Sequence, residues 1–243
     1  MKIQWVGEHG YAGEYLDDLL ANGYFRMNQH MFTTYVAGTE DSAFWVFWLR
    51  IIIPQIKNIE HHKIAKKCQQ FTVECAALTE ITQEMQELAQ LYVSTRPFET
   101  EFQLSYFADE NGLSEFDTQV ITVRHEGKLI ALGFFDLGKY AIMGLKNIIH
   151  PDYGKYSLGK FLMIEKIRFC KTQAIIYYYP GYISTDTTRF DYKVFPSEET
   201  VEIYNDVEWL PYSKNTLIAL NNGRNKEYPD GLVFKDDPNI PYI

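Results

Sequence analysis

The residues from His150 to Lys160 are of the types that bind an anion. HPDYGKYSLGK carries a glycine near each end of a short polar turn, Gly154 and Gly159, with Lys155 and Lys160 beside them. Ser157 stands where a helix N-cap would stand, give or take a residue or two. After it, Leu158, Phe161, Leu162, Ile164, Ile167 and Phe169 recur as a broad helical stripe. Free backbone N–H groups and the positive dipole end at such a helix start suit a phosphate or pyrophosphate. A plainer reading uses the same residues: Gly154 ends a turn and Gly159 lets the helix pack close to a sheet. Two glycines are fewer than a glycine-rich phosphate loop carries, and spacing alone leaves both readings open.

The elements around this turn must hold it in place. QVITVRH (119–125), the pair Glu126-Gly127 and KLIALGFFDLG (128–138) read as a hairpin, rich in β-branched and aromatic residues with glycine at the turn. AIMGLKNII (141–149) is a third strand, ended by His150-Pro151, and AIIYYY (174–179) a fourth, running into Pro180-Gly181-Tyr182. The order strand, strand, strand, helix, strand resembles the core of GNAT-type acyltransferases. The resemblance implies that the helix begins within two residues of Ser157 and faces a crevice beside the third strand. The fourth strand then runs parallel to the third, through a right-handed crossover.

The rest of the chain reads as ordinary folded protein. Its 243 residues are 46% hydrophobic and 16% aromatic, ample for a packed core and against disorder. No apolar run approaches a membrane span; FWVFWLRIII (44–53) is broken by Arg50 and ended by Pro54. MKIQWVGEHG lacks the apolar core of a signal peptide. The three cysteines, Cys68, Cys75 and Cys170, have no paired metal spacing, so reduced thiols in the cytoplasm are expected. A net charge of −9 disfavours a nucleic-acid partner and gives no case for DNA. Basic residues nevertheless gather at 57–67 and 155–171, either as one basic face or as two solvated helix faces. In chain order, a helix is expected over 11–22, stopped by Asn22-Gly23. A strand pair, or a strand and loop, follows over 23–38, then one buried strand over 43–53. A helix near 60–70 precedes a strand at 71–76, and a helix over 80–92 is capped by Thr79. Residues 94–107 read as loop then helix, 108–117 as a polar turn, and 221–243 as an ordered loop or loose tail.

Residues 127–183, with RFDYKVFPSEE (189–199), resemble the aminoacyl-tRNA–protein transferases of the N-degron pathway, the arginyl-transferases and the bacterial leucyl-transferases. The similar points are Leu129-Ile130-Ala131 with Asp136, Pro151-Asp152-Tyr153, Ser157-Leu158-Gly159, Tyr178-Tyr179 with Gly181-Tyr182, and Pro196-Ser197-Glu198. YLDDLLANGYFRMNQHMF (15–32) and RIIIPQIKNIEHHKIAKK (50–67) are similar in the same order. The resemblance implies an α+β, GNAT-like fold: a mixed, mostly antiparallel sheet flanked by helices, duplicated into lobes 1–95 and 96–243, the second carrying the transfer site.

The implied reaction moves an amino acid from its tRNA ester to the N-terminal amine of a protein. An α-amine titrates near about 7.7–8.0, so a large neutral fraction exists at pH 7 and positioning does much of the work. The implied catalytic residues are Asp136, facing the incoming amine, and Tyr182. Lys155, Ser157, Gly159, Lys160, Tyr179, Gly181 and Arg189 would hold the donor. Asp136 equally suits a turn cap beside Gly138, and the tyrosines suit a core. Implied partners are aminoacyl-tRNA and protein or peptide N-termini, with no membrane, no DNA, no metal and no cofactor beyond the co-substrate. The family's N-terminal cysteine pair is missing, and polar positions expected in the family fall at Met143, Gly144 and Asp191. Two other readings are a GNAT-type N-acyltransferase using acyl-CoA and a non-catalytic relative that binds protein N-termini. The residue transferred and the N-terminus accepted stay open.

Overall fold

The computed structural model describes residues 2–4, 10–39, 42–95, 103–108 and 114–224. The expectations for 96–102, 109–113 and the tail beyond 224 lie outside the described residues, as does the lobe boundary at 95/96 on its C-terminal side.

In chain order the elements are β1 (Lys2–Gln4), α1 (Gly13–Ala21), β2 (Phe25–Met27), β3 (His30–Thr33), β4 (Val36–Thr39), β5 (Ser42–Trp45) and β6 (Phe47–Ile52). Next come α2 (Lys63–Lys67), β7 (Thr72–Ala77), α3 (Gln83–Ser94), β8 (Thr118–His125), β9 (Lys128–Leu137) and β10 (Ala141–Ile149). The chain continues with α4 (Leu158–Thr172), β11 (Tyr177–Ile183), β12 (Val201–Tyr204), β13 (Trp209–Pro211) and α5 (Lys214–Gly223). Eight strands make one sheet in the order β13-β12-β6-β11-β10-β9-β8-β7. Every neighbouring pair is antiparallel except β10 and β11. The expected α+β architecture is therefore present, and strands from both sides of residue 95 share its sheet.

The β8–β9 hairpin turns at Glu126-Gly127 with φ of 51° and 84°, the left-handed pair that a two-residue turn requires. Both sheet faces are covered. Under α4 and α2, one face buries Ile51, Phe135, Ile142, Leu162 and Tyr178. The other buries Phe25, Trp48, Met143 and Tyr179 beneath α1 and the β2–β3 hairpin. Further along, Leu129, Phe134 and Ile148 pack with Leu88 of α3. Among the described residues no helix is long and apolar enough to cross a membrane.

Three expectations change. The apolar run 43–53 is two strands: β5 pairs with β4, while β6 joins the main sheet. Val46 between them donates its N–H to the Tyr35 carbonyl at 2.9 Å, which parts the two strands. The helix expected over 80–92 starts at Gln83, because Thr82 and not Thr79 accepts the Met85 N–H, at 3.3 Å. The fourth strand runs over 177–183, not 174–179. Ala174 at φ 55° leaves the helix left-handed, and Ile175 N–H returns to the Cys170 carbonyl at 2.9 Å. Residues 174–176 therefore serve to exit α4.

Candidate functional site

Parallel pairing of β10 with β11 lasts three residues, ending at Met143↔Tyr179. Each strand then bulges, β10 between Gly144 and Asn147 and β11 between Tyr178 and Gly181. Beyond the bulges β10 keeps only β9, and β11 keeps only β6. The two central strands therefore part from Gly144 and Pro180 onward. Pro180 lacks an N–H and Gly181 has φ 105°; both are tolerated here because the ladder toward β10 has already ended.

The glycine at 144 has a packing cause. A Cβ there would lie 2.9 Å from the Tyr178 ring. Its neighbour Met143 is buried and its sulfur accepts the Arg26 N–H at 3.3 Å. Position 144 has no room for the hydroxyl expected there, and at 143 the methionine fills a buried site. Gly144→Ser is accordingly expected to destabilise the chain by about 1–3 kcal/mol, read as a fall in the thermal midpoint.

The start of α4 sits beside this parting. Ser157 occupies the N-cap position but at φ 55° and ψ 46°, and its hydroxyl makes no capping bond; the left-handed backbone turns it away from that role. Among the described residues no side chain accepts from the first-turn N–H groups, which have no partner inside the helix. A Cβ on Gly159 would meet nothing within 4 Å, and the same holds for Gly154. Close packing on the sheet is thus not what Gly159 serves, and the space over it is open. Asn147, just past the β10 bulge, donates its Nδ2 to the Gly159 carbonyl at 3.2 Å, and its Oδ1 accepts Lys166 Nζ at 2.9 Å.

The two basic stretches of the sequence meet here. Lys67 of α2 donates to the Lys155 carbonyl, and Cys68 Sγ lies 3.7 Å from the Tyr156 carbonyl. Lys160 Nζ is 5.7 Å from the centre of the Phe195 ring, which packs edge-on against His62 at 4.9 Å. Burial, then the charges of Lys63 and Lys160, hold the His62 ring below its usual range. Arg168 is spent elsewhere, bridged to Glu60 at 2.6 Å and to Glu165 at 2.5 Å. Lys63, Lys67, Lys155 and Lys160 form the basic face of an acidic protein.

The other expected residues scatter. Tyr179 is 1% exposed on the face away from α4, edge-on to Phe25 and Trp209, and burial pushes its phenol up to about 12. Tyr178 is as deeply buried on the opposite face, so both faces, not alternate residues alone, supply core positions. Tyr182 and Gly181 do stand at the parting. The Tyr182 ring is edge-on to Trp48 at 5.3 Å and to Phe190 at 4.8 Å, and burial pushes its phenol up to about 12. Arg189 and Asp191 are exposed on the 3-10 segment Thr188–Val194 that packs on this end of β11.

Asp136 is placed differently from the expectation. It is fully buried, 2.8 Å from Arg26 Nη1, and it accepts the Thr118 hydroxyl at 2.7 Å. Arg26 also donates to the Thr118 hydroxyl at 2.9 Å and to the carbonyls of Asn28, Tyr106 and Phe107. Burial raises the Asp136 carboxyl while Arg26 and Thr118 pull it back. Fully buried, this carboxylate latches the β2–β3 hairpin to the sheet through Oδ1, and its Oδ2 has no hydrogen-bond partner among the described residues.

Sequence reasoning missed Lys193. Its Nζ lies 4.4 Å from the centre of the Tyr182 ring and 4.7 Å from that of Phe190. A Cβ on Gly181 would come within 2.8 Å of it. The ring faces favour the cation by about 0.5–2 kcal/mol. Burial, then the Lys146 charge, act the other way and push the amine down to about 7. The only sequence signal was the lysine in RFDYKVF, four residues past Arg189. A shallow cavity of about 180 Å³ between β7 and the start of α3 lies at the far edge of the sheet from all these groups.

Residues 56–200, more than half of the chain, match the family described as arginine-tRNA-protein transferase, C terminus. The chain belongs to that family. Among relatives, it is 33% identical over 79 residues to arginyl-tRNA–protein transferase 1 of Saccharomyces cerevisiae, covering 32% of this chain and 16% of that one. It is 24% identical over 92 residues to an aspartate/glutamate leucyltransferase of Leptospira interrogans, covering 37% and 36%. The matched stretch therefore spans well under half the length of these relatives. Among solved structures, FemX aligns at a TM-score of 0.47 and 10% identity over 72% of this chain and 61% of FemX. L-PGS from Bacillus licheniformis aligns at 0.40 and 12%, over 75% and 54%. Within this transferase family the match takes in α2, the β8–β11 core and α4, which together carry the basic face and the strand parting.

Proposed function

We propose that this chain moves an amino acid from the ester of an aminoacyl-tRNA to the N-terminal amine of a protein. The observation that carries the reading is the joining of the two basic stretches into one face at the start of α4, beside the parted strands, in a chain of this family. On this reading Lys155 and Lys160, with Lys63 and Lys67, hold the phosphates of the acceptor end. The open space over Gly159 and the first-turn N–H groups receive one of them. The aminoacyl group lies at the parting against Gly181 and Tyr182, with Arg189 at the rim, while Tyr179 shapes the floor from within the core. Aminolysis of an activated ester needs an amine, a base and donors for the oxyanion, so the charged tRNA enters as co-substrate with no further cofactor. Free Cys68, Cys75 and Cys170 suit a cytoplasmic site of action, where charged tRNA is found. DNA is not a partner in this scheme.

Transfer of labelled amino acids from a panel of charged tRNAs onto peptides of varied N-terminal residue tests the reading. Acceptance of acyl-CoA in place of tRNA, or transfer from neither, overturns it. A second test concerns the face itself. Lys155→Ala with Lys160→Ala is expected to weaken tRNA binding and to flatten the log K against log salt slope by about 0.7–0.9 per lost phosphate contact. An unchanged salt slope removes this face from the tRNA site.

A further inference from the structure

Resting on the transfer reaction proposed above, we propose that the Lys193 amine takes the proton from the incoming N-terminal ammonium and so frees the nucleophile. The 3-10 segment Thr188–Val194 lays this side chain across the rings of Tyr182 and Phe190, with Nζ against Gly181. That point is where β11 has bulged away from β10 and the two central strands part. Among the described residues Nζ has no hydrogen-bond acceptor and no carboxylate partner. The titratable groups around it are Lys146 from β10, Tyr182 from β11, and Arg189, Asp191 and Tyr192 on its own segment. None of these supplies a carboxylate bridge that would lock it as a cation. Burial and the Lys146 charge, which bring the amine down to about 7, make a neutral form available at physiological pH.

The step balances with the substrates alone. Neutral Lys193 accepts one proton of the ammonium. The freed lone pair forms the C–N bond at the ester carbonyl, and the C–O bond to the ribose breaks through a tetrahedral oxyanion. The surplus proton of the attacking nitrogen ends on the ribose oxygen, and Lys193 releases the proton it took to solvent. Ammonium and ester thus become amide, ribose hydroxyl and one proton.

Single-turnover transfer from charged tRNA to a peptide, followed against pH, is the test. The unaltered chain is expected to show one limb near pH 7 from Lys193, beside the limb at about 7.7–8.0 from the acceptor amine. Lys193→Met is expected to lower the rate at pH 7 by up to about tenfold, because about a tenth of the acceptor amine is already neutral there, and to leave only the acceptor limb. Lys193→Arg keeps the charge but cannot deprotonate, so the same loss is expected in the folded protein, with tRNA affinity unchanged and the thermal midpoint lowered by the charge that burial disfavours. Retention of rate and profile by Lys193→Arg overturns the assignment in favour of a charge that only binds. A Lys193→Met rate within about threefold of the unaltered chain does the same. An unaltered chain that transfers nothing instead overturns the reaction proposed above, a result distinct from any difference among the variants.

Discussion

Replacing Arg26 by methionine is expected to cost about 3–5 kcal/mol of folding stability. That is a large share of the 5–15 kcal/mol typical of a domain. The side chains of Arg26 and Asp136 are 1% and 0% exposed. Methionine keeps the apolar stem but abandons the Asp136 carboxylate without its counter-charge and the Phe107 carbonyl without a donor, while the Tyr106 carbonyl keeps only Gln29 Nε2 at 3.3 Å. Urea unfolding should show a lower midpoint at an unchanged m-value. The double variant Arg26→Met/Asp136→Leu should lose less than the two single variants together, because it removes both charges at once. A loss below about 1 kcal/mol in Arg26→Met would show that the pair is not the latch. Asp136→Asn offers a further separation. If Asp136 only holds the hairpin, the folded fraction of that variant transfers at the unaltered rate; an amine-binding carboxylate would slow it even when folded.

The second large effect has the opposite sign. Lys166 lies within α4, 1% exposed, and its amine meets one neutral acceptor, Asn147 Oδ1 at 2.9 Å. Burial pushes it from 10.5 down to about 7, a shift worth roughly 5 kcal/mol against the charged form. In the unfolded chain the same group titrates near about 10.4. Between those two values the unfolded state binds the extra proton, so the contribution of Lys166 to stability rises with pH and falls as pH drops toward 7. Lys166→Met removes the penalty but leaves Asn147 Oδ1 without its donor, a cost of about 1–3 kcal/mol. The net expectation is a gain on the order of 2 kcal/mol at pH 7. From pH 7 to 8.5 that gain should shrink by about 2 kcal/mol, as the native lysine sheds its penalty. The comparison stops there because the cysteines begin to ionise in the unfolded chain, whereas burial holds Cys68 at about 11. Thermal or urea unfolding of both proteins at three pH values reads the effect. A constant difference across that range would mean that Lys166 stays charged when folded.

Local chemistry determined much of this protein by itself. Alternating apolar residues and Glu126-Gly127 specified the β8–β9 hairpin, because few residue pairs accept two left-handed positions in a row. The stripe from Leu158 to Phe169 specified α4 to within a residue of its start. Contacts between distant segments decided the rest. Nothing near Asp136 in sequence announces Arg26, more than a hundred residues away, so a strand-end carboxylate that looks open is in fact sealed. Nothing near Ser157 announces the left-handed backbone that turns its hydroxyl away from the helix it precedes. The basic stretches 57–67 and 155–171 were legible as charge, but only the packing of α2 on α4 made them one face. Lys193 was invisible because its ordinary residue type says nothing of its surroundings. Its character comes from Gly181, Tyr182, Phe190 and Lys146, which the bulges of two strands bring together, and the free energy of a buried charge depends on those neighbours and not on the chain that precedes it.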